Sequence, residues 1–476
     1  MEYIQAFFDL IGNLTWGWAL IPMLIIFGLL FSIISGWAQF RYFGRMFKSL
    51  RQDKTNANST SITGRQALLV SIGGRVGGGN IAGVAVAISL GGPGAVFWMW
   101  VVALIGMVTS IVECTLAQLY KHKTHDGHFR GGSARFIVHG LGEKYRWMAI
   151  VYSICLIVSF SIGFNAFQGN TVAGAMLDSL GIERIYTGIL LALLGGLIIF
   201  GGIKRISQAS DVIIPVMALL YMAMAIIVIV MNITELPAVI TTIVKSAFGL
   251  DSVVGGGMGV AIAQGMRRGL FSNEAGLGSA PNVAATADVK HPVTQGIAQS
   301  LSVFIDTIII CSCTAFIILL GDVYVPGAEI DGVVLTQQSL VHHLGNWSQY
   351  LLTFSILLFS FSSVIYNYYL GENAMSFLFY GKKEKLPILL LRLAVIVILF
   401  LGATAPGATA VFFFSDPLMG VLALFNLLAL IMLFPQVMRL LTDYRNQLKQ
   451  GIEDPVFNPD QFPELDIDRN AWKGQK

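Results

Sequence analysis

The stretch Gly73-Gly74-Arg75-Val76-Gly77-Gly78-Gly79-Asn80 sets five glycines and one arginine inside an apolar run long enough to cross a bilayer. Each interior glycine weakens a helix by about 1 kcal/mol, and a cation near the bilayer centre costs at least about 2.5–3.5 kcal/mol. Backbone groups freed at that depth persist only against protein or a water-filled cavity. A break of this kind suits the binding of a small polar solute midway across the membrane. Helix packing explains part of the spacing, because Gly73/Gly77 and Gly79/Gly83 are small-xxx-small pairs. It does not explain three consecutive glycines followed by Asn, nor the arginine.

The chain around this segment has 476 residues, of which only 12% are charged, and a mean hydropathy of +0.71. A soluble domain carries roughly 25% charged residues, so the composition predicts an all-α polytopic membrane protein. Eleven apolar runs are long enough to span: 16–36, 66–90, 94–120, 147–176, 185–203, 211–231, 254–276, 294–320, 348–380, 388–405 and 411–436. The first lacks a small-residue cleavage site and reads as a retained helix, not a removable signal. Basic residues fill every second loop, at Arg41–Lys54, Lys121–Arg146, Lys204/Arg205 and Lys382–Lys385, while 321–347 holds acids and no Lys or Arg. This alternation predicts an integral plasma (inner) membrane protein with its N-terminus outside and its C-terminus in the cytoplasm. Cys114, Cys155, Cys311 and Cys313 all sit in apolar runs and read as packing residues. The polar tail beyond Arg439 reads as a cytoplasmic extension with at most a short helix and no chemistry.

Setting aside residues 1–45 as an extra N-terminal helix leaves ten spans in two sets of five, 60–231 and 250–438, followed by the tail at 439–476. The first helix of the second set carries Gly255-Gly256-Gly257-Met258-Gly259 and then Gln264-Gly265-Met266-Arg267-Arg268-Gly269. Five is odd, so the two sets run in opposite senses. Glycine-interrupted segments at matching places in inverted halves point to the binding site of a secondary transporter. A channel normally builds its pore from several identical subunits, which a single chain with an internal repeat does not need. An enzyme would need a nucleophile–base or metal cluster, and the spans contain none. All seven histidines lie in loops or at their edges; His122, His125 and His128 are regularly spaced but sit in a polar loop beside lysines. The expectation is a carrier without enzymatic activity or organic cofactor, whose partners are the bilayer, a solute and a coupling ion, with no nucleic acid.

Three motifs resemble a known family. They are Gly77-Gly78-Gly79-Asn80-Ile81-Ala82-Gly83-Val84, Gly91-Gly92-Pro93-Gly94-Ala95-Val96-Phe97-Trp98-Met99-Trp100, and Arg268-Gly269-Leu270-Phe271-Ser272-Asn273-Glu274-Ala275-Gly276-Leu277-Gly278-Ser279. They are similar to motifs of the alanine/glycine:cation symporter family, also called sodium:alanine symporters, and the likeness extends over roughly residues 15–440. The resemblance implies a leucine-transporter-like fold of five plus five inverted helices, here with one extra N-terminal helix. It also implies sodium-coupled uptake of a small neutral amino acid such as alanine, glycine, serine or glutamine; proton coupling is the alternative, and an ion channel a more distant one.

The resemblance also implies a site. The amides of Gly77, Gly78 and Gly79, with Asn80, would meet the substrate carboxylate at a helix N-terminus, where unpaired N–H groups and the dipole favour an anion. Relatives commonly have Thr where this chain has Gly78. Gln168 would face the substrate, and carbonyls freed around Gln264 and Gly265 would take its ammonium. Transporters of alanine often carry Trp at the Gln264 position, so a polar side chain there suggests a substrate such as glutamine or serine. Sodium would sit between the carbonyls of Gly73 and Val76 and the hydroxyls of Ser362 and Ser363; adjacent serines bonded only to their own helix are the alternative. Arg75 has three readings. In order, it pairs with Asp306, Glu113 or Glu372, stands in for an ion, or reaches an acidic substrate. Arg267, Arg268, Asn273 and Glu274 would form an inner gate network or a structural cap near the cytoplasmic end of span 7.

Overall fold

The computed structural model describes residues 10–49, 62–124, 127–200, 202–250, 257–327, 332–379, 384–407 and 409–472. Its longer helices, in order, are α1 (Leu10–Ile34), α2 (Gly64–Arg75), α3 (Gly79–Gly91), α4 (Gly94–Leu119), α5 (Ser133–Leu141) and α6 (Glu143–Leu180). Then come α7 (Arg184–Ile199), α8 (Gly202–Met231), α9 (Leu236–Ala247), α10 (Met258–Asn273), α11 (Ala280–Ala284) and α12 (Pro292–Leu319). The last four are α13 (Gly332–Leu344), α14 (Trp347–Leu378), α15 (Lys385–Thr404) and α16 (Thr409–Lys449).

Seven of these, α1, α4, α6, α12, α14, α15 and α16, are individually long and apolar enough to cross a membrane. Two bent pairs meet the same test together: α2 with α3, at 50°, and Pro215–Met231 with α9, at 104°. That makes up to nine spans by length and composition among the described residues, against eleven expected. The two remaining expected segments coincide with α7 and α10, whose 16 residues each fall short of an ordinary span.

Local chemistry sets the ends of these helices. Thr63 and Gln66 form a reciprocal capping box at the start of α2. Gly92, at φ 70°, turns the chain between α3 and α4, a left-handed conformation that glycine adopts without steric cost. Gly181 ends α6 in the same way. In the packing, α4 lies against α10 and α12, while α6 lies against α14 and α15. The broken pair runs between these groups: α2 touches α8, α12 and α14, and α3 touches α10.

On the face carrying the basic loops, strand β1 (Ile62–Thr63) leads directly into α2. The hairpin strands β2 (His122–Lys123) and β3 (Phe129–Arg130) pair antiparallel, and β4 (Ala287–Asp288) pairs in parallel with β1. The tail departs from expectation. Helix α16 continues to Lys449, because Val437, Leu440, Leu441 and Tyr444 keep an apolar face buried past the membrane-length run. Residues 450–472 then fold back onto this face, with Phe457, Phe462 and Trp472 buried. Of the spaced histidines, His125 lies outside the described residues, and His122 meets the Arg130 carbonyl through Nδ1 at 2.8 Å.

Candidate functional site

Regular helical bonding stops at Val76, whose ψ of 100° is extended. Asn80 caps the break, with its Oδ1 accepting the Gly77 N–H at 2.8 Å. The Gly78 N–H donates to Gln168 Oε1 on α6 at 3.0 Å. Helix α3 then opens with a wider π-type turn over Gly79–Gly83, a form that recurs at functional sites. Two of the glycines are required by close approach: a Cβ on Gly74 would enter the Tyr366 ring, and one on Gly77 would collide with Ser363 Oγ. Gly74→Ala is therefore expected to lower stability by about 1–3 kcal/mol through overpacking, read as a fall in melting temperature of the purified protein.

Behind the break lies a buried polar knot. Asn80 Nδ2 donates to Asp306 Oδ1 at 2.7 Å and to the Asp306 carbonyl at 3.1 Å. The other carboxylate oxygen, Oδ2, accepts from Ser272 Oγ at 2.8 Å and Thr307 Oγ1 at 2.7 Å. Thr314 Oγ1 donates to the Asn80 carbonyl at 2.7 Å. Asn80 and Asp306 are both fully buried. A carboxylate, a carboxamide and two hydroxyls from α3, α10 and α12 thus converge, which is the hard-oxygen chemistry that alkali cations prefer.

On the other side of the break, Ser362 Oγ donates to the Gly73 carbonyl at 2.7 Å and Ser363 Oγ to the same oxygen at 3.4 Å. The expected ion-site residues Gly73, Ser362 and Ser363 are therefore together, at the turn where Val76 ends α2. The expected substrate residues Gly77, Gly78, Asn80 and Gln168 are likewise together, with Gly79 facing Phe271 and Ser272 of α10.

Three expectations require correction. Arg75 is buried, but it makes no contact ion pair among the described residues. Its Nη1 donates to Ser302 Oγ and to the Gln299 carbonyl at 3.4 Å, both on α12. Glu113, Glu274 and Asp306 lie within its electrostatic reach, yet each carboxylate is already bonded elsewhere. Glu113 accepts from the amides of Gly276 and Gly278 and from Asn426. Glu274 accepts from Tyr366 and Ser279. Glu372 pairs instead with Tyr368 and, at 3.8 Å, with Arg392.

Gln264 and Gly265 do not lie at a break. Helix α10 continues through both, so their carbonyls are not freed by unwinding. Gly265 lets α10 approach the backbone of α4 at Ala95, and Gln264 abuts Gly91. The interruption comes at Glu274 (φ 56°), Gly276 (φ 89°) and Gly278 (φ 77°), three left-handed residues in five.

Arg267, Arg268, Asn273 and Glu274 do not form one network. Asn273 Oδ1 accepts the Ala275 N–H at 3.0 Å, and Arg267 lies over the Trp16 ring at 5.7 Å. Arg268 pairs with Asp416, near the start of α16 and away from the basic loops. Its guanidinium lies 3.9 Å from the Phe412 ring centroid. Below it Phe271 packs on Phe164 at 4.1 Å, Phe167 at 5.1 Å and Phe412 at 5.2 Å. An aromatic wall topped by a buried ion pair therefore covers the Gly77–Gly79 turn on the side opposite the basic loops. Asp416, Ser272, Phe271 and Phe412 were not expected from sequence. An acid beside Pro417 in an apolar run was a usable signal for Asp416, since intramembrane charges mark function; the aromatic residues carried none.

A model of the sodium:alanine symporter family matches residues 1–459. The chain is 46% identical to the amino-acid carrier protein AlsT of Bacillus subtilis, covering 99% of each chain. It is 44% identical to the probable sodium/glutamine symporter GlnT of the same organism, over 96% of this chain and 94% of that one. A sodium/proton-dependent alanine carrier protein of Bacillus sp. strain PS3 is 33% identical, over 85% and 93%. Among solved structures, a Na+-coupled sialic acid symporter in a substrate-bound outward-open state shares the fold, with a TM-score of 0.51 at 13% identity, covering 78% of this chain and 82% of that one. Family model and relatives extend over nearly the whole sequence, and the chain belongs to the sodium:alanine symporter family.

Proposed function

We propose that the protein is a secondary carrier that couples inward sodium movement to uptake of a small neutral amino acid by alternating access. In this reading eleven spans form a leucine-transporter-like five-plus-five inverted repeat behind the extra helix α1. The N-terminus lies outside and the basic loops lie in the cytoplasm of a cell whose plasma membrane the protein crosses. The observation that carries the reading is the break between α2 and α3, where backbone amides, Asn80 and Gln168 meet at a fixed turn buried in the protein. A carboxylate arriving there exchanges protein acceptors for its own oxygens at the Gly77–Gly79 amides, with help from the helix dipole. Gln168 then turns to the solute. Two oxygen groups flank this point, Gly73 with Ser362 and Ser363 on one side, and Asp306 with Asn80, Ser272 and Thr307 on the other.

Relatives named as alanine carriers and as a probable sodium/glutamine symporter support small neutral substrates. Uptake by proteoliposomes across a panel of amino acids, with and without a sodium gradient, tests the reading. Sodium-dependent accumulation of alanine, serine or glutamine is expected. Sodium-independent flux, or uptake restricted to glutamate and aspartate, would overturn it. Proton coupling is the second reading, favoured by the buried Asp306 carboxylate and by the relative named as sodium/proton-dependent; uptake driven by a pH gradient alone would favour it.

One ion ligand can be tested separately. Ser363→Ala removes a hydroxyl beside Gly73 and Gly77, and is expected to raise the half-saturating sodium concentration by about tenfold, or ~1.4 kcal/mol. An unchanged sodium dependence would take Ser363 out of the ion site.

A further inference from the structure

The tail that follows α16 crosses the basic face and is fastened at several points. Gln447 and Val456 exchange two hydrogen bonds at 2.8 and 2.9 Å, which turns the chain back under the bundle. The Phe457 N–H then donates to the Lys290 carbonyl at 2.9 Å, just after β4. Asp468 accepts the Lys123 N–H at 3.0 Å on the β2–β3 hairpin, and Asp466 meets His139 of α5 at 2.7 Å. Arg439 with Glu464, and Arg469 with Asp460, brace the tail against α16 and against itself.

At the far end Trp472 closes over Lys121. The ammonium lies between two rings, 4.2 Å from the Phe129 centroid and 4.3 Å from that of Trp472, and donates to the Ala287 carbonyl at 3.1 Å. Lys121 is fully buried. A desolvated cation is attracted to the electron-rich face of an aromatic ring. Lysine is almost never fully buried without a partner; here two rings and one carbonyl face the ammonium, and the Asp288 carboxylate lies within its electrostatic reach.

What the tail touches is the segment between α11 and α12, whose strand β4 pairs with the strand leading into α2. Its contacts fall on Lys290 and, through Lys121, on Ala287; β4 pairs with β1, and β1 runs straight into α2. We propose that residues 450–472 are a strap that holds the cytoplasmic mouth shut, with Trp472 on Lys121 as its clasp. Opening toward the cytoplasm then requires the tail to leave β4 and the hairpin. The strap rests on the alternating-access reading above, but it is tested without any substrate.

The four native cysteines are buried, so a reporter thiol can be added at Thr286, which is only 5% exposed and directly precedes β4. In inside-out vesicles, full-length protein carrying Thr286→Cys is expected to react slowly with a membrane-impermeant maleimide. Adding Trp472→Ala should speed labelling at least about tenfold, and ending the chain after Gly451 should do the same. Trp472→Phe keeps a ring over the ammonium and should return the rate to within about threefold of the parent. Equal labelling of the parent, Trp472→Ala and truncated proteins, each eluting as a folded monodisperse species, would overturn the strap. Fast labelling of Trp472→Phe would overturn the clasp. If the truncated chain does not fold, the point variants decide. Loss of sodium-dependent uptake in the parent would instead sink the carrier reading and leave the labelling result standing.

Discussion

Asn80→Ala is expected to lower initial amino-acid uptake by at least about 100-fold while the protein remains folded. Its carboxamide does two jobs at once, capping the Gly77 amide and donating to Asp306. Alanine leaves a buried carboxylate short of a donor, worth about 1.5–3 kcal/mol, and frees the amide that fixes the turn, worth about 1 kcal/mol more. Together these come to about 2.5–4 kcal/mol, a range that spans the ~2.7 kcal/mol corresponding to 100-fold. Asn80→Asp preserves the cap but sets a second carboxylate against the first, and should be comparably defective. Uptake by Asn80→Ala within threefold of the parent would show that the turn does not depend on this side chain.

The second large effect concerns Arg268 and Asp416. Each faces little water, with side-chain exposures of 3% and 12%. Removing one member of a buried pair strands the other charge at a cost of about 3–5 kcal/mol. Arg268→Met and Asp416→Leu should therefore each lower the melting temperature and reduce uptake by at least about 100-fold. The double variant strands neither member of the pair, and its stability is expected to return toward that of the parent, because apolar groups of similar volume often replace a buried pair without loss. Uptake should stay low if the pair also closes the aromatic wall during transport. Full recovery of uptake in the double variant would confine the pair to a structural role. A double variant no more stable than its parts would mean the two charges are not coupled.

The break in the α2–α3 span was legible because its cause is written in residue types: glycines and a charge have no cheap place in an apolar helix. The break after α10 was misread because glycine does two different things. Gly265 and Gly269 are there so that α10 can press against α4 at Ala95, Trp98, Met99 and Val102. The unwinding uses a glutamate in the left-handed region together with Gly276 and Gly278. The sequence showed those glycines but not which of them turn. Arg75 was recognised as a buried charge, yet its surroundings depend on which lone pairs of Glu113, Glu274 and Asp306 are already taken, and that is a property of packing. The tail looked inert because its three anchoring aromatics are spread across sixteen polar-rich residues, from Phe457 to Trp472, with no helical period to show that they share a seat.

The glutamate at position 113 has a further consequence. It takes both the Gly276 and the Gly278 amides, while Ser133 and Tyr152 take the Gly278 carbonyl at 3.2 and 2.7 Å. Every one of these kinked peptide groups is spoken for by a neighbouring helix. The two discontinuities are thus unequal partners: one is held by the amide side chains of Asn80 and Gln168, and the other is a sealed elbow clamped from outside by an acid.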